Sequence, residues 1–446
     1  MSEARIISKH AGTVLVGQLA TIAFGVADTV IAGRYSDSAL AALSVGSALY
    51  ISVYVALIGI VQALLPVWAE LHGAGRHDAL GRSLQQSVYL CGLIVVAGML
   101  ALLFPATLLR WTKVPESMLE EVHHYLSILA WAFAPALLFR AYSTFNQALG
   151  KPLLVTWLQL GALALKIPLS IWFVAGGAGV SPMGVAGCAW ATLIVNYLLL
   201  TTAFVMLRWQ PFYAPYRLWR ALEAPRWREI GSFARLGIPA GLSYLVEVTS
   251  FTLMALFIAR LGTTAAASHQ IAASVAAVLY MMPLSLGIAC SARVSFWLGA
   301  GDANQARKVL LLGLKLTVGI ALFFTTVIYL ARHVVATWYS SGAEIQAVAT
   351  TLLAWVALYH LADAIQAVSA FMLRCYRITV LPLILYGVFL WGVGLAGGYL
   401  VTYQGIGGQS PLRSANGFWA ASTGALTMVT ICFLFLLWRS ARKSSR

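Results

Sequence analysis

Twelve times along this chain, a run of about 20 or more residues passes with almost no charged side chain, and no other feature limits its fold so strongly. A helix rising 1.5 Å per residue needs about 20 apolar residues to cross the hydrocarbon of a bilayer. The runs lie near 11–33, 43–69, 86–106, 122–149, 153–175, 184–207, 237–259, 270–292, 309–331, 347–373, 379–402 and 417–438. Strands of a membrane barrel would be about half as long and would alternate in polarity. A soluble fold is excluded by composition: charged residues are 10% of 446, against about 25% in ordinary globular proteins. With 61% hydrophobic residues there is too little polar surface to cover the rest. The chain is therefore read as an all-α, multi-pass protein whose solvent is largely the lipid bilayer.

The net charge of +15 raises the question of nucleic acid. The basic residues sit in short pieces between apolar runs, so no compact basic surface forms to hold a phosphate backbone, and no nucleic-acid partner is expected. Nothing in the pattern implies an obligate protein partner. Cys91, Cys188, Cys290, Cys375 and Cys432 are far apart and lack metal-site or CxxC spacing, which argues against a disulfide framework or structural zinc. The first apolar run has no small-residue cleavage site after it and is read as a retained helix. If the amino terminus is cytoplasmic, cytoplasmic segments hold 19 Lys and Arg and the opposite segments 6, among them Arg110 and Lys113. That bias predicts both termini on the cytoplasmic side of a cell (inner) membrane.

The longest cytoplasmic connection, 208–236, mixes arginines with Trp209, Phe212, Tyr213, Tyr216, Trp219 and Trp227 and is broken by three prolines. Its aromatics are expected at lipid headgroups. It divides the chain into a first six-helix bundle, 1–207, and a second, 237–446. The halves resemble each other. GAGRHDALGR at 73–82 returns as GAGDANQARK at 299–308, and the same displacement sets Ser143 and Phe145 over Ser369 and Phe371. Six is even, so the copies face the same way, and the fold expected is two six-helix bundles related by a parallel internal repeat. Such repeats belong mainly to transporters.

Three acids fall well inside the runs: Asp28, Glu247 and Asp363. An ionised carboxylate at bilayer centre costs about 2.5 kcal/mol or more, so each needs a polar cavity or a partner. Helical spacing puts Tyr359 and Gln366 on the face of Asp363, and Ser243 and Ser250 on that of Glu247. Oxygen-rich faces of this kind suit a sodium ion or a proton, and they suit a structurally hydrogen-bonded acid as well. Lys166 is the ammonium at comparable depth, and Asp28 is the mid-membrane acid of its half, so the two are expected to pair. Arg140 and Arg293 are read as capping helix ends. His360, on a different face from Asp363, is read as a polar cavity residue. No GxxxxGK[ST], HExxH or GxSxG pattern occurs, so ATP hydrolysis and the usual hydrolase chemistries are not expected. The glycine clusters at 176–179 and 405–408 fall in outer loops and bind no dinucleotide. No cofactor is implied.

At GVADTVIAGRYS (25–36), the GAG turn at 73–75, GIPAGLSYLVEV (237–248), RVSFWLGAGD (293–302) and YHLADAIQ (359–366), the chain resembles the multidrug and toxic compound extrusion (MATE) transporters, in particular their NorM-like branch. The resemblance covers nearly the whole chain and rests on the order of these segments rather than on any one of them. It implies export of small organic cations, drugs among them, driven by inward flow of sodium or protons, with no enzymatic step. On that pattern Glu247, Asp363 and Tyr359 match a cation-coupling site, with sodium as a ligand of Glu247 and Asp363, and Asp28 matches a first-half acid. Gln366, Ser250 and His360 fall at the substrate cavity. Two positions depart from the pattern: Lys166 and Ser170 stand where an Asn and an Asp or Asn are usual, and Glu70 stands where Gln is common. The resemblance alone makes Asp28 a cation ligand; a fixed ammonium in the ion's place makes it a structural anchor, with Glu247 and Asp363 as the sole coupling pair. A flippase for a lipid-linked or amphiphilic substrate is the alternative, and Lys166 and Arg140 favour it.

Overall fold

The computed structural model describes every residue except 1, 106–115, 178, 222, 406–409, 445 and 446. Arg110, Lys113 and Arg446 of the charge count, and most of the 405–408 cluster, lie outside the described residues. Twelve helices are long and apolar enough to cross a membrane, and there is no β-strand among the described residues. They are α1 (Glu3–Tyr35), α2 (Asp37–Gly73), α3 (His77–Leu103), α4 (Glu116–Ala148), α5 (Pro152–Ala175) and α6 (Val185–Trp209). The second set is α7 (Trp227–Ala259), α8 (Thr263–Gly299), α9 (Ala303–Tyr339), α10 (Ala343–Cys375), α11 (Val380–Gln404) and α12 (Ala415–Ser444). Each coincides with one apolar run, but several are longer. The helices of α7 and α9 run on through polar ends such as Arg228-Glu229 and Gln305-Arg307, because backbone hydrogen bonding continues where hydrocarbon stops. Large apolar side chains such as Phe323, Leu330 and Ile431 are more than half exposed, as a surface bathed in lipid requires.

The repeat is visible in the element boundaries. The displacement that carries the GAG turn of the first half onto that of the second also carries Asp37 and Gly73, the ends of α2, onto Thr263 and Gly299, the ends of α8. It carries His77, which begins α3, onto Ala303, which begins α9. Gly75 and Gly301 occupy equivalent turns, with φ of 66° and 80°. This left-handed conformation reverses the chain between helices and favours glycine. Asp302 then caps α9 by accepting a 2.8 Å hydrogen bond from the Gln305 amide. Ser143 and Ser369 are both buried, as are Phe145 and Phe371.

The chain forms two compact units: residues 16–241, here the N unit, and residues 1–15 with 242–446, the C unit. The divisions fall inside α1 and α7, at positions related by the same displacement. The beginning of α1 therefore packs with the C unit: Arg293 donates to Glu3 at 2.5 and 3.0 Å and Trp297 at 3.1 Å, and Ile7 is fully buried there. Arg293 is thus an ion-pair partner rather than a helix cap. The beginning of α7 packs in the N unit, where Leu236 and Ala240 meet Ala63.

The connection 208–236 is exposed along much of its length, but two of its tyrosines turn inward. Tyr213 and Tyr216 are almost fully buried, and Tyr213 donates to Asn146 Oδ1 at 2.7 Å. Burial pushes both phenols above the usual tyrosine value. Three residues of α3 hold the strap beyond: Gln85 donates to the Leu218 carbonyl, Gln86 to that of Ala224, and Tyr89 to that of Glu223. At Gly81 the Tyr216 carbonyl lies where a Cβ would project, so the close approach needs glycine. Aromatic content made this segment look interfacial, but Tyr213 reaches Asn146 at the end of α4 and Tyr216 packs its ring edge-on to His77 at the start of α3. Trp209 and Trp227 remain strongly exposed.

Candidate functional site

In the N unit, α1 and α5 bring Asp28 and Lys166 together. The ammonium lies 2.9 Å from Asp28 Oδ1 and 2.8 Å from Oδ2, and donates to Thr192 Oγ1 of α6 at 2.7 Å. Ser170, one turn beyond Lys166, donates to Oδ1 at 3.2 Å. Lys166 is 1% exposed. All three ammonium hydrogens have oxygen acceptors, so the charge is neutralised and solvated by protein. The place a mobile cation would take beside Asp28 is filled by a tethered one.

The C unit is built differently. Asp363 on α10 accepts from Gln366 Nε2 at 3.0 Å, and Gln366 Oε1 accepts from the Tyr386 hydroxyl of α11. Glu247 on α7 lies within electrostatic reach of that amide and of the Asp363 carboxylate. Gln366 is completely buried and Asp363 nearly so. A neutral amide thus stands beside the two acids, and no ammonium or guanidinium pairs with either among the described residues. Beside Glu247 is a small cavity, with room for one water-sized species, walled by Ser243, Tyr244, Tyr280, Arg374 and Tyr386.

The other sequence-predicted residues fall around this centre. Tyr359 packs its ring 5.6 Å from Trp419 and 6.3 Å from Phe251, and lies within electrostatic reach of both acids. Ser250 donates to the Leu390 carbonyl at 3.4 Å. His360 turns its ring edge-on to Phe324, 6.4 Å away. Sequence reasoning missed Tyr386, Tyr280 and Arg374. The two tyrosines carry no local signal, since their partners lie on other helices. It also missed that α11 widens into π-helical turns over Gly387–Gly397 and Leu400–Gln404. The glycine-rich GVFLWGVGLAGG was the available sign. Wide turns of this sort concentrate at functional sites, and here Trp391 reaches the Val246 carbonyl beside Glu247. No cluster of three or more His, Cys, Asp or Glu side chains suited to a metal occurs among the described residues.

Comparison with known proteins decides the family. The MatE family model matches residues 14–172 and 239–400, one segment in each half of the repeat. The chain belongs to the MATE family. A probable multidrug resistance protein NorM of Aromatoleum aromaticum is 38% identical over 96% of this chain and 92% of its own length. The multidrug resistance protein PmpM of Pseudomonas aeruginosa is 31% identical over 98% and 91%. Among solved structures, a eukaryotic MATE transporter superposes with a TM-score of 0.87 at 20% identity, covering 99% of this chain and 98% of that one. The Vibrio cholerae MATE transporter VcmN in its bent form gives 0.86 at 18%, with 99% and 98% covered. The fold is the MATE fold, and this MATE chain is a multi-pass membrane transporter and not an enzyme.

Proposed function

We propose that this chain is a secondary active multidrug exporter that moves small organic cations out of the cell in exchange for sodium or protons, with Glu247 and Asp363 as the coupling pair and Tyr359 beside them. The observation that carries the assignment is the contrast between the acids. Asp28 is held by Lys166 at 2.8 Å, whereas Asp363 meets a neutral amide at 3.0 Å and neither it nor Glu247 has an ion pair among the described residues. Two carboxylates brought together with no ion pair to either bind a cation or a proton strongly. Export of drugs follows the relatives named as multidrug resistance proteins. Asp28 then serves as an anchor for α1, α5 and α6, and the N unit has no mobile coupling ion.

A cation arriving at Glu247–Asp363 from outside favours a state with lower drug affinity, and by reciprocity bound drug lowers affinity for the ion. Partly exposed Tyr359 and Phe251 offer aromatic faces to an organic cation, and Gln366, Ser250 and His360 border the same region. The functional halves are 1–207 and 237–446, joined by 208–236, with both termini on the cytoplasmic side of the inner membrane, as the charge bias indicates. The flippase alternative loses support, because Lys166 is committed to Asp28 and is not free for a phosphate headgroup. Efflux of a fluorescent organic cation from drug-sensitive cells tests the reading. Asp363→Asn should reach the membrane and lose coupled efflux; undiminished efflux would sink the assignment.

A further inference from the structure

The cavity beside Glu247 holds a charge that the coupling pair does not explain. Arg374, in the last turn of α10, is 5% exposed despite lying next to a loop. Its guanidinium is 4.5 Å from the Phe371 ring centre and 5.1 Å from that of Tyr244. It lines the same cavity as Glu247 and acts electrostatically on that carboxylate. It makes no ion pair among the described residues, and Nη1 has no hydrogen-bond partner there. The two aromatic faces stabilise the cation where it stands, and the carbonyl end of α10 adds to that. Arg374 is therefore kept in the cavity without collapsing onto Glu247.

We infer that Arg374 is a fixed counter-charge that restricts the Glu247–Asp363 site to one monovalent cation and weakens its hold on that ion. With both acids ionised, two negative charges and one permanent positive charge leave the cavity at −1, so a single sodium ion or proton neutralises it. A guanidinium cannot escape this role by losing its proton. Without it, two carboxylates would retain the ion too tightly for release into the cytoplasm. Arg374 thus tunes the site without touching the ion. The inference rests on the coupling-site reading above.

The test uses full-length protein in proteoliposomes, with ethidium as the transported cation and sodium and pH varied independently. The titratable and charged groups that face Glu247 are Tyr280 from α8, Tyr359, Asp363 and Arg374 from α10, Tyr386 from α11 and Tyr244 on its own helix. Arg374→Gln should lower the half-activating concentration of the driving ion about 10-fold, the scale for one unit charge at this range inside a protein. For a proton that is a midpoint about one pH unit higher. Turnover should fall, because release slows, and Arg374→Lys should keep the wild-type midpoint. Generic damage would raise the ion requirement instead. Should Arg374→Gln be absent from the membrane, Arg374→Met, which keeps the length and the ring contacts, carries the same expectation. An unchanged or raised half-activating concentration in the neutral variants would overturn the inference. Glu247→Gln separates the two claims: unchanged ion dependence in that variant removes the coupling reading, whichever way the Arg374 variants move.

Discussion

Asp28 in the N unit and Asp363 in the C unit are both acids buried in membrane-spanning helices, yet their charges are answered in different ways. Asp28 has an ammonium 2.8 Å away and a hydroxyl at 3.2 Å. Asp363 has the side-chain amide of Gln366 at 3.0 Å and a second carboxylate close by. The first arrangement is complete without any added ion. The second is neutral only when something positive arrives. A repeat fold thus carries one copy with a closed ion pair and one without, and the difference lies in a few side chains and in the π-helical turns of α11, whose counterpart α5 is a regular helix.

The largest expected effect comes from breaking the lock on one side. Asp28→Asn leaves Lys166 charged and buried, and losing one partner of a buried pair costs roughly 3–5 kcal/mol. The thermal midpoint of the detergent-solubilised protein should fall sharply, whereas Asp363→Asn should melt near wild type. Equal melting of the two variants would erase the contrast. A smaller effect is expected from Gln366→Leu, which strips a hydrogen bond from Asp363 and orphans the Tyr386 hydroxyl. Each buried polar group left unmet costs about 1–3 kcal/mol, and efflux should weaken several-fold. Ser170→Ala removes one neutral donor from a lock that Lys166 still holds, about 1 kcal/mol by melting, with efflux within two-fold of wild type. An efflux loss in Ser170→Ala as large as in Asp363→Asn would show that the N unit takes part in coupling.

How legible each part was in the sequence follows from where its information lies. The twelve helices are written locally, in run length and polarity. The Asp28–Lys166 contact was legible because an ammonium at mid-membrane depth needs an acid and its half offered one. Gln366 was legible as a neighbour of Asp363 from helical spacing alone. Tyr386 was not, because its partner is 20 residues away on another helix. Arg374 was hidden for a different reason: it ends an apolar run, where Lys and Arg ordinarily mark a loop. Tyr213 and Tyr216 of the strap have the composition of a membrane-interface belt yet are buried, and the Asn146 acceptor that draws Tyr213 inward lies 67 residues earlier. Non-local partners, more than residue type, set the limit.

The central claim is that ion coupling runs through the C unit and not through Asp28. The most direct measurement is ethidium efflux by Asp28→Asn/Lys166→Met, which removes both charges together, beside Asp363→Asn, with sodium and pH varied independently. The account predicts that the double variant folds and keeps ion-driven efflux while Asp363→Asn loses it. A well-folded double variant without ion-driven efflux, or an Asp363→Asn variant that retains it, would contradict the account.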